Sequence, residues 1–311
     1  MPQLPKPKIR AATVRSALGN PIPPPTPRMR VQTSGSAPKG SDRGIDPAEM
    51  KARRRKFLIT AGGLYGTFLV GAYYWISYVV AQGGPYEEAK PRDTTQTYEE
   101  LAKQYDRIIG RDELFMGLSF WRKDVAKQAM GDVLEVSCGT GRNISYLNIP
   151  AVKSITFVDA SEQMIEQTKE KFKDRYPKYQ NAQFLAKKVE DLPLDKKYDT
   201  VFETFGLCSH EDPIYVLMHL QDLLKPGGKI VLLEHGRGTW DFVNRILDKS
   251  AASRAEVFGC RWNLDIGEIV RKSGLVIDKE SRSHFGTTWT IIAHRAGDVI
   301  SPEPKKRFFI W

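Results

Sequence analysis

The stretch Asp132–Asn143 (DVLEVSCGTGRN) has the residue types and spacing of a ligand-binding turn. An apolar run, predicted as a strand, ends there in Ser137-x-Gly139-x-Gly141, where small residues let a ligand approach the backbone. A helix is predicted to follow the turn, so that its N-terminus faces the same ligand. Position 144 is not glycine, and the turn therefore favours a nucleoside without phosphates over a dinucleotide.

Acidic side chains follow the next two predicted strands. The second strand ends at Val158 and delivers Asp159, whose carboxylate can accept hydrogen bonds from two vicinal ribose hydroxyls. A third strand leads into a short acidic turn that contains Val189 and Glu190. Because the carboxyl ends of parallel strands meet at one edge of a sheet, these groups are expected to share one site.

Two histidines are candidates for acid–base chemistry. His210 lies in the loop after a fourth strand, and His235 ends a fifth strand, beside Glu234. Each also has a structural interpretation: loop-capping or core packing for His210, and strand-end solvation for His235. Cys208 has no suitably spaced Asn or Asp partner and is interpreted as a small buried residue. With three cysteines and no Cys-x-x-Cys, the sequence predicts no metal site.

The elements that must position these residues alternate between helical and β-rich runs, which predicts an α/β fold with a mostly parallel sheet. The predicted strands are 132–136, 154–158, 182–187, 198–202 and 229–234. Residues 98–108 (YEELAKQYDRI) are predicted to form an amphipathic helix that either closes over the ligand or only packs against the sheet.

This order of motifs resembles the class I S-adenosylmethionine-dependent methyltransferases, in particular the branch related to ubiquinone-biosynthesis C-methyltransferase, over residues 98–294. The stretches FGLCSHEDP, LLEHGRG, GCRWNLDIGEIV and HFGTTW are similar to fungal mitochondrial inner-membrane methyltransferase-like proteins. The resemblance implies S-adenosylmethionine as cofactor and a Rossmann-like, seven-stranded, mostly parallel sheet with helices on both faces. It assigns to the cofactor the residues Glu135, Ser137, Gly139, Gly141, Asp159, Met164, Val189, Glu190, Thr204 and Phe205.

Two positions depart from the family pattern. Ser137 replaces the first glycine of the turn, and Lys188 stands where relatives often place an aspartate beside adenine. The leading hypothesis is methyl transfer to a small hydrophobic acceptor, such as a quinone intermediate or a lipid. The alternative hypothesis, which the two departures motivate, is a non-catalytic assembly or stability factor of the inner membrane that uses the same fold as an interaction surface.

The charge of the chain is concentrated at its N-terminus. Residues 1–56 carry 13 Lys and Arg against three acidic residues, which accounts for the whole net charge of +10. Residues 57–311 hold 34 charges of each sign, so a nucleic-acid partner is not expected. The acid-free start of the chain favours a mitochondrial transit peptide over a disordered basic arm.

Residues 57–81 contain no charged side chain and are long enough, as a helix, to span a membrane. The basic residues before this segment predict that the N-terminus lies in the matrix and the folded domain in the intermembrane space. Gly62 and Gly66 could let a second helix approach. The chain thus divides into an arm (1–56), a transmembrane helix (57–81), a linker (82–97), a methyltransferase domain (98–296) and a basic-aromatic tail (297–311).

Overall fold

The computed structural model describes residues 47–82 and 89–298. The first 46 residues, residues 83–88 and the tail from residue 299 lie outside the described residues. The predicted transit peptide and most of the basic-aromatic tail therefore stay predictions.

The first helix, α1 (Pro47–Gln82), contains the whole predicted transmembrane segment without a break. Its large apolar side chains are exposed at Phe57, Ile59, Leu64 and Phe68. The side chains of residues 72–82 lie outside the described residues. Within the part of the chain that the structure describes, no helix is both long enough and apolar enough to cross a membrane.

A seven-stranded sheet forms the centre of the second part of the chain, with strand order β3-β2-β1-β4-β5-β7-β6. β7 runs antiparallel to both of its neighbours, and the strands from β1 to β5 pair in parallel. The strands are β1 (Gly131–Val136), β2 (Val152–Asp159), β3 (Ala182–Ala186), β4 (Tyr198–Thr204), β5 (Leu224–His235), β6 (Leu275–Ser283) and β7 (Thr288–Arg295).

Helices cover both faces of this sheet and bury its apolar side chains in two cores. One core packs α3 and α4 against residues such as Phe157 and Phe202, and the other packs α5 and α7 against residues such as Leu134 and Leu232. Strands buried on both faces explain the continuous apolar runs of the sequence. The helices after α1 are α2 (Thr95–Phe115), α3 (Ser119–Ala126), α4 (Glu162–Arg175), α5 (Pro213–Asp222), α6 (Asp241–Phe258) and α7 (Ile266–Lys272). The predicted fold class is confirmed for the sheet and its helical layers.

The prediction of a helix directly after the glycine turn is wrong. The chain between β1 and β2 instead forms two single 3-10 turns, Ile144–Tyr146 and Ile149–Ala151. Pro150 cannot donate the hydrogen bond that a longer helix would need, and the Asn143 side chain turns inward to bond buried groups. The amphipathic helix is longer than predicted, since α2 begins at Thr95 and ends at Phe115.

Candidate active site

A cavity of about 910 Å³, counting its open mouth, lies where β1, β2 and β4 end. These strands are neighbours in the sheet, and this carboxyl edge is where parallel α/β sheets bind ligands. The start of α2 and the loop after β4 form the other walls. The cavity is therefore built from the segments that the sequence singled out, together with the first helix of the domain.

The glycine turn places three residues in the left-handed region: Ser137 at φ 49°, Gly139 at φ 55° and Gly141 at φ 74°. This conformation costs a non-glycine residue energy, so Ser137 carries a backbone strain that a glycine there would not. A Cβ added to Gly139 would meet nothing within 4 Å, whereas one on Gly141 would lie 2.4 Å from the side chain of Ile144. Gly139 therefore faces open space in the cavity, and Gly141 is enclosed by packing.

Asp159 lies beside the glycine turn at the end of β2. One of its oxygens accepts a hydrogen bond from Gly139 N at 2.8 Å and the other from Ser161 N at 3.0 Å. Burial raises the pKa of this carboxyl, and the two N–H donors act in the opposite direction. Each oxygen keeps a lone pair for a further donor, so the group is fixed in place and still available to a ligand.

The cavity lining also contains Lys188, Val189 and Glu190, from the turn after β3. The Lys188 ammonium lies 2.8 Å from Asp93, just before α2, and 3.5 Å from Glu211 in the loop after β4. The hydrogen bond from Lys188 holds the pKa of Asp93 at about 2. Lys188, the second departure from the family pattern, thus links the segment before α2 to the loop after β4.

Helix α2 is joined to the cavity by polar contacts along its length. Glu99 accepts a hydrogen bond from Ser161 Oγ at 2.5 Å, and the Tyr98 hydroxyl lies 2.7 Å from Ser209 Oγ. Further along, Asp106 accepts from Thr140 Oγ1 at 2.6 Å, within the glycine turn. This geometry favours the interpretation of α2 as a cover for the cavity over that of a helix that only packs.

A buried ion-pair network holds the C-terminal end of α2 against the cavity. Arg122, which is 5% exposed, donates to Glu113 at 2.6 Å and to Thr204 Oγ1 at 2.8 Å. It also donates to Asn143 Oδ1, and Glu113 receives a second guanidinium, that of Arg142, at 2.7 Å. Burial acts to raise the pKa of Glu113, but the two guanidinium groups outweigh it and the net pKa is lowered.

The loop after β4 brings a histidine of the cavity wall against a buried carboxylate of β4. His210 Nε2 lies 2.8 Å from Glu203 Oε1, and Ser137 Oγ donates to the same carboxylate oxygen at 2.7 Å. Burial acts to lower the pKa of His210, but the charge and hydrogen bond of Glu203 outweigh it, and the net pKa lies above the usual histidine value. With Nε2–H directed at the Glu203 carboxylate, Nδ1 is the ring nitrogen that can accept a further proton.

Besides Glu203, two more glutamates are buried near the carboxyl ends of strands, Glu135 in β1 and Glu234 in β5. Among the described residues, Glu135, Glu203 and Glu234 each bury one carboxylate oxygen that has no hydrogen-bond partner. Burial raises the pKa of Glu135 to about 8, and burial together with the nearby Glu203 raises that of Glu234 well above its usual range. Glu135 accepts from Asn143 Nδ2 at 2.8 Å and supports the floor of the site rather than facing the cavity.

The structure separates the two candidate histidines. His210 lines the cavity, whereas His235 does not. The His235 ring lies behind Phe205, with ring centroids 5.4 Å apart, and its Nε2 faces the sulfurs of Cys208 and Cys260. The ring is turned toward the cysteines, and a part for His235 in acid–base chemistry stays a prediction.

Most of the predicted cofactor residues line the cavity, and Glu135 and Gly141 lie beneath its surface. Those that line it are Ser137, Gly139, Asp159, Met164, Val189, Glu190, Thr204 and Phe205. Sequence reasoning missed Arg122 and assigned no role to Glu203. The only signal for Glu203 is a carboxylate next to the end of a predicted strand, and Arg122 lies outside every motif.

Comparison with known proteins defines the class. Residues 133–228 match the family described as a methyltransferase domain. Two solved structures share the fold at 14% identity: the 4+2 cyclase SpnF, with a TM-score of 0.51 over 67% of this chain and 97% of its own, and the mitomycin 7-O-methyltransferase MmcR, with a TM-score of 0.50 over 72% and 67%. The chain belongs to the class I S-adenosylmethionine-dependent methyltransferase family.

Within this family the chain is similar to a yeast protein, the mitochondrial methyltransferase OMS1 of Saccharomyces cerevisiae. The two are 50% identical over 223 residues, which cover 67% of this chain and 47% of OMS1. The demethylmenaquinone methyltransferase of Staphylococcus aureus is 31% identical over 160 residues, covering 49% of this chain and 64% of that protein. The chain thus spans about half of the yeast relative and less than two thirds of the bacterial one.

Proposed function

We propose that the domain binds S-adenosylmethionine in the cavity and catalyses transfer of its methyl group to a small acceptor. The observation that carries this proposal is the pairing of Gly139, which faces open space, with Asp159 at the adjoining strand end. Together they offer backbone approach to a ligand and a carboxylate for two ribose hydroxyls. The family match and the yeast relative support the same chemistry.

The residues present fit this cofactor. When bound, S-adenosylmethionine supplies an electrophilic methyl group. Asp159 would hold the ribose, Val189 and Glu190 would border the adenine, and the turn from Ser137 to Gly139 would adjoin the amino-acid end. The buried guanidinium of Arg122, which lines the cavity, would attract the carboxylate of that end.

Methyl transfer from a sulfonium is an in-line displacement, so positioning of the acceptor supplies much of the catalysis. His210 is the group best placed to remove a proton from an acceptor hydroxyl, amine or acidic carbon. Glu203 stabilises the protonated imidazole at 2.8 Å. Phe205 and Tyr98 add apolar surface to the cavity wall, which favours an uncharged acceptor with an aromatic or aliphatic body.

Calorimetric titration of the full-length protein with S-adenosylmethionine tests the cofactor proposal. The unaltered protein should bind it, and Asp159→Ala should bind about 10- to 150-fold more weakly, because a charged hydrogen-bond acceptor is lost. Asp174→Ala, an exposed aspartate of α4, is the matched control and should bind normally. If the unaltered protein does not bind S-adenosylmethionine at millimolar concentration, the cofactor proposal is wrong.

The acceptor is proposed to be a quinone intermediate or a lipid. The support is the similarity to demethylmenaquinone methyltransferase and the apolar part of the cavity. Assays with isotopically labelled cofactor should give labelled product from a demethylated quinone or a lipid extract. Labelling of RNA or DNA, but not of these acceptors, would reject this assignment and would also reject the expectation of no nucleic-acid partner.

We also propose a mitochondrial inner-membrane location, with residues 57–81 as the anchor, the N-terminus in the matrix and the domain in the intermembrane space. The support is the mitochondrial yeast relative, the charge of residues 1–56 and the exposed apolar side chains of α1. The segment with Gly62 and Gly66 would accept a partner helix. In mitoplasts, protease should remove a C-terminal tag; a tag that survives would reverse the orientation.

A non-catalytic role in inner-membrane assembly is the second candidate. Ser137 in the left-handed region narrows the approach to the turn, and a shared fold does not fix the reaction, since the named activity of SpnF is cyclisation. Cells carrying Asp159→Ala in place of the native protein distinguish the two roles. Full function without cofactor binding would favour the assembly role, and loss of function would favour methyl transfer.

A further inference from the structure

Three side chains that the proposed methyl transfer does not use converge behind the cavity wall. Cys208 follows β4, His235 ends β5, and Cys260 follows α6. His235 Nε2 lies 2.9 Å from Cys260 Sγ and 3.2 Å from Cys208 Sγ. The three potential ligand atoms all lie within 4.8 Å of one another, so three distant segments present one nitrogen and two sulfurs to a common point.

The environment of these atoms is that of an interior site. Cys208 is 1% exposed and Cys260 is 4% exposed. The backbone around them is held in place, since Arg261 N donates to Cys208 O at 3.1 Å. The Arg261 guanidinium also donates to the carbonyl oxygens of His210 and Cys208. The loop after β4 and the loop after α6 are therefore already joined at the point where the sulfurs meet.

The donor set matches a thiophilic cation. Zn²⁺ binds cysteine sulfur at about 2.3 Å and imidazole nitrogen at about 2.0–2.1 Å, so ligand atoms in a tetrahedral site stand roughly 3.4–3.8 Å apart. The two nitrogen–sulfur distances are within 0.5 Å of this range. A disulfide would use the two sulfurs but would leave unexplained why the imidazole nitrogen faces both of them.

We propose that Cys208, His235 and Cys260 form a zinc site with three protein ligands and a fourth position filled by solvent. Binding replaces the two thiol protons, which are released to buffer, and uses the unprotonated Nε2 of the imidazole. No electron transfer is involved. The ion would tie the ends of β4 and β5 to the segment after α6.

The location gives such an ion a consequence for the neighbouring cavity. The His235 ring stacks on Phe205 at 5.4 Å, and Ser209, whose Oγ lies 3.5 Å from Cys208 Sγ, lines the cavity with Phe205. His210, the candidate base, follows directly. Zinc would therefore hold in place the part of the cavity wall formed by Phe205, Ser209 and His210, without contacting the methionine end of the cofactor.

The test uses full-length protein purified in detergent with a thiol reductant and without chelators. One equivalent of zinc is expected by elemental analysis, and Co²⁺ substitution should give thiolate-to-metal charge-transfer absorption. Cys208→Ser, Cys260→Ser and His235→Gln should each weaken zinc affinity by at least about tenfold, since loss of a ligand exceeds the effect of its outer-shell partners. Cys138→Ser, a buried cysteine outside the cluster, should keep the full equivalent.

A second variant keeps the test decisive if the first ones fold poorly. His235→Cys retains three ligands and should bind Co²⁺ with stronger charge-transfer absorption, which a packing role alone would not produce. Zinc bound equally by the unaltered protein and by Cys208→Ser would overturn the site. So would a native protein two mass units lighter than its reduced form, with Cys208 joined to Cys260. Cofactor calorimetry on the same samples reports separately on the methyltransferase proposal.

Discussion

The two sides of the cavity differ in how they present chemistry. On one side, which we call the cradle, the turn from Ser137 to Gly141 and Asp159 offer backbone and a single carboxylate. On the other, the ionisable side, His210 contacts the buried carboxylate of Glu203, and Glu234 buries a second carboxylate near Glu203. The cradle fits a cofactor by shape and needs little charge.

The ionisable side buries two carboxylates that each have an unpartnered oxygen, Glu203 and Glu234, against one, Glu135, beneath the cradle. A buried carboxylate without a full set of partners destabilises the fold unless it is paired or protonated. Glu203 is paired with His210, and the pKa of Glu234 is raised by burial and by Glu203. Retaining such groups beneath a cavity is typical of sites that handle protons. The difference implies that binding belongs mainly to the cradle and proton transfer to the ionisable side.

The largest expected effect is on catalysis. His210→Ala should lower kcat by about 10²- to 10⁴-fold while the cofactor Kd changes little, because general-base catalysis is worth about that much. The measurement is steady-state methyl transfer to whichever acceptor the labelled-cofactor assays identify, with calorimetry on the same variant. An unchanged kcat would mean that positioning alone suffices and that the ionisable side is structural.

The pH profile sharpens the same point. The unprotonated imidazole is the active form, so kcat/KM should rise with pH through the raised pKa of His210. Glu203→Gln removes the main group that raises this pKa, and the rise should move to lower pH. Glu190→Gln, which alters a more distant contributor, should move it less. An equal shift in both variants would contradict the prediction, because it would mean that the contact with Glu203 is not the main cause of the raised pKa of His210.

The next effect concerns the network that joins the two sides. Arg122→Ala leaves Glu113 buried with one guanidinium fewer and should lower the free energy of unfolding by about 3–5 kcal/mol. Arg295→Ala, which breaks a pair with Asp298 in a more exposed place, should cost less than about 1 kcal/mol. Urea unfolding measures both. Equal losses would show that the buried network contributes no more than a surface pair.

The two glycines of the cradle should respond differently, Gly139 mainly in cofactor affinity and Gly141 mainly in stability. Gly139→Ala adds a methyl group to open space in the cavity, so cofactor affinity should fall about tenfold or more while stability falls by about 1–2 kcal/mol from backbone strain. Gly141→Ala adds the same strain and a clash with Ile144, and should cost about 2–4 kcal/mol of stability. Thermal melts and calorimetry on both variants distinguish the effects.

The contrast between the two sides also explains what the sequence could predict. The cradle follows from a local pattern, since the small-residue turn and Asp159 sit at fixed offsets from apolar runs. The five predicted strands lie where expected, with ends that differ by up to five residues. The missing helix after Gly141 shows the limit of the local pattern, because Pro150 and the inward turn of Asn143 decided that segment.

The ionisable side could not be predicted in the same way. Glu203 and His210 are close in sequence, but their partner Ser137 is 66 residues from Glu203 and reaches it only because β1 and β4 are neighbours in the sheet. Cys208, His235 and Cys260 lack any short spacing and meet only through the order of β4 and β5. Strand order, which a single sequence does not state, is what brings these groups together.

The last effect that the comparison predicts is a pH dependence of stability from Glu135, which lies beneath the cradle. Its pKa is raised from 4.5 to about 8 by burial. Between these values the folded chain holds a proton that the unfolded chain has lost, so stability falls as the pH rises, by up to about 1.4 kcal/mol per pH unit. This contribution is complete below pH 4.5 and is lost once the pH passes about 8.

Glu135→Gln keeps the acceptor for Asn143 Nδ2 but cannot ionise, so its stability should fall less than that of the unaltered protein between pH 5 and pH 8. Glu170→Gln, an exposed residue of α4, should follow the unaltered protein. Because Glu234 has a raised pKa in all three proteins, the difference between their curves isolates Glu135. Parallel curves of stability against pH for all three proteins would contradict the prediction, because they would mean that water reaches Glu135 and that its carboxylate is ionised in the folded protein.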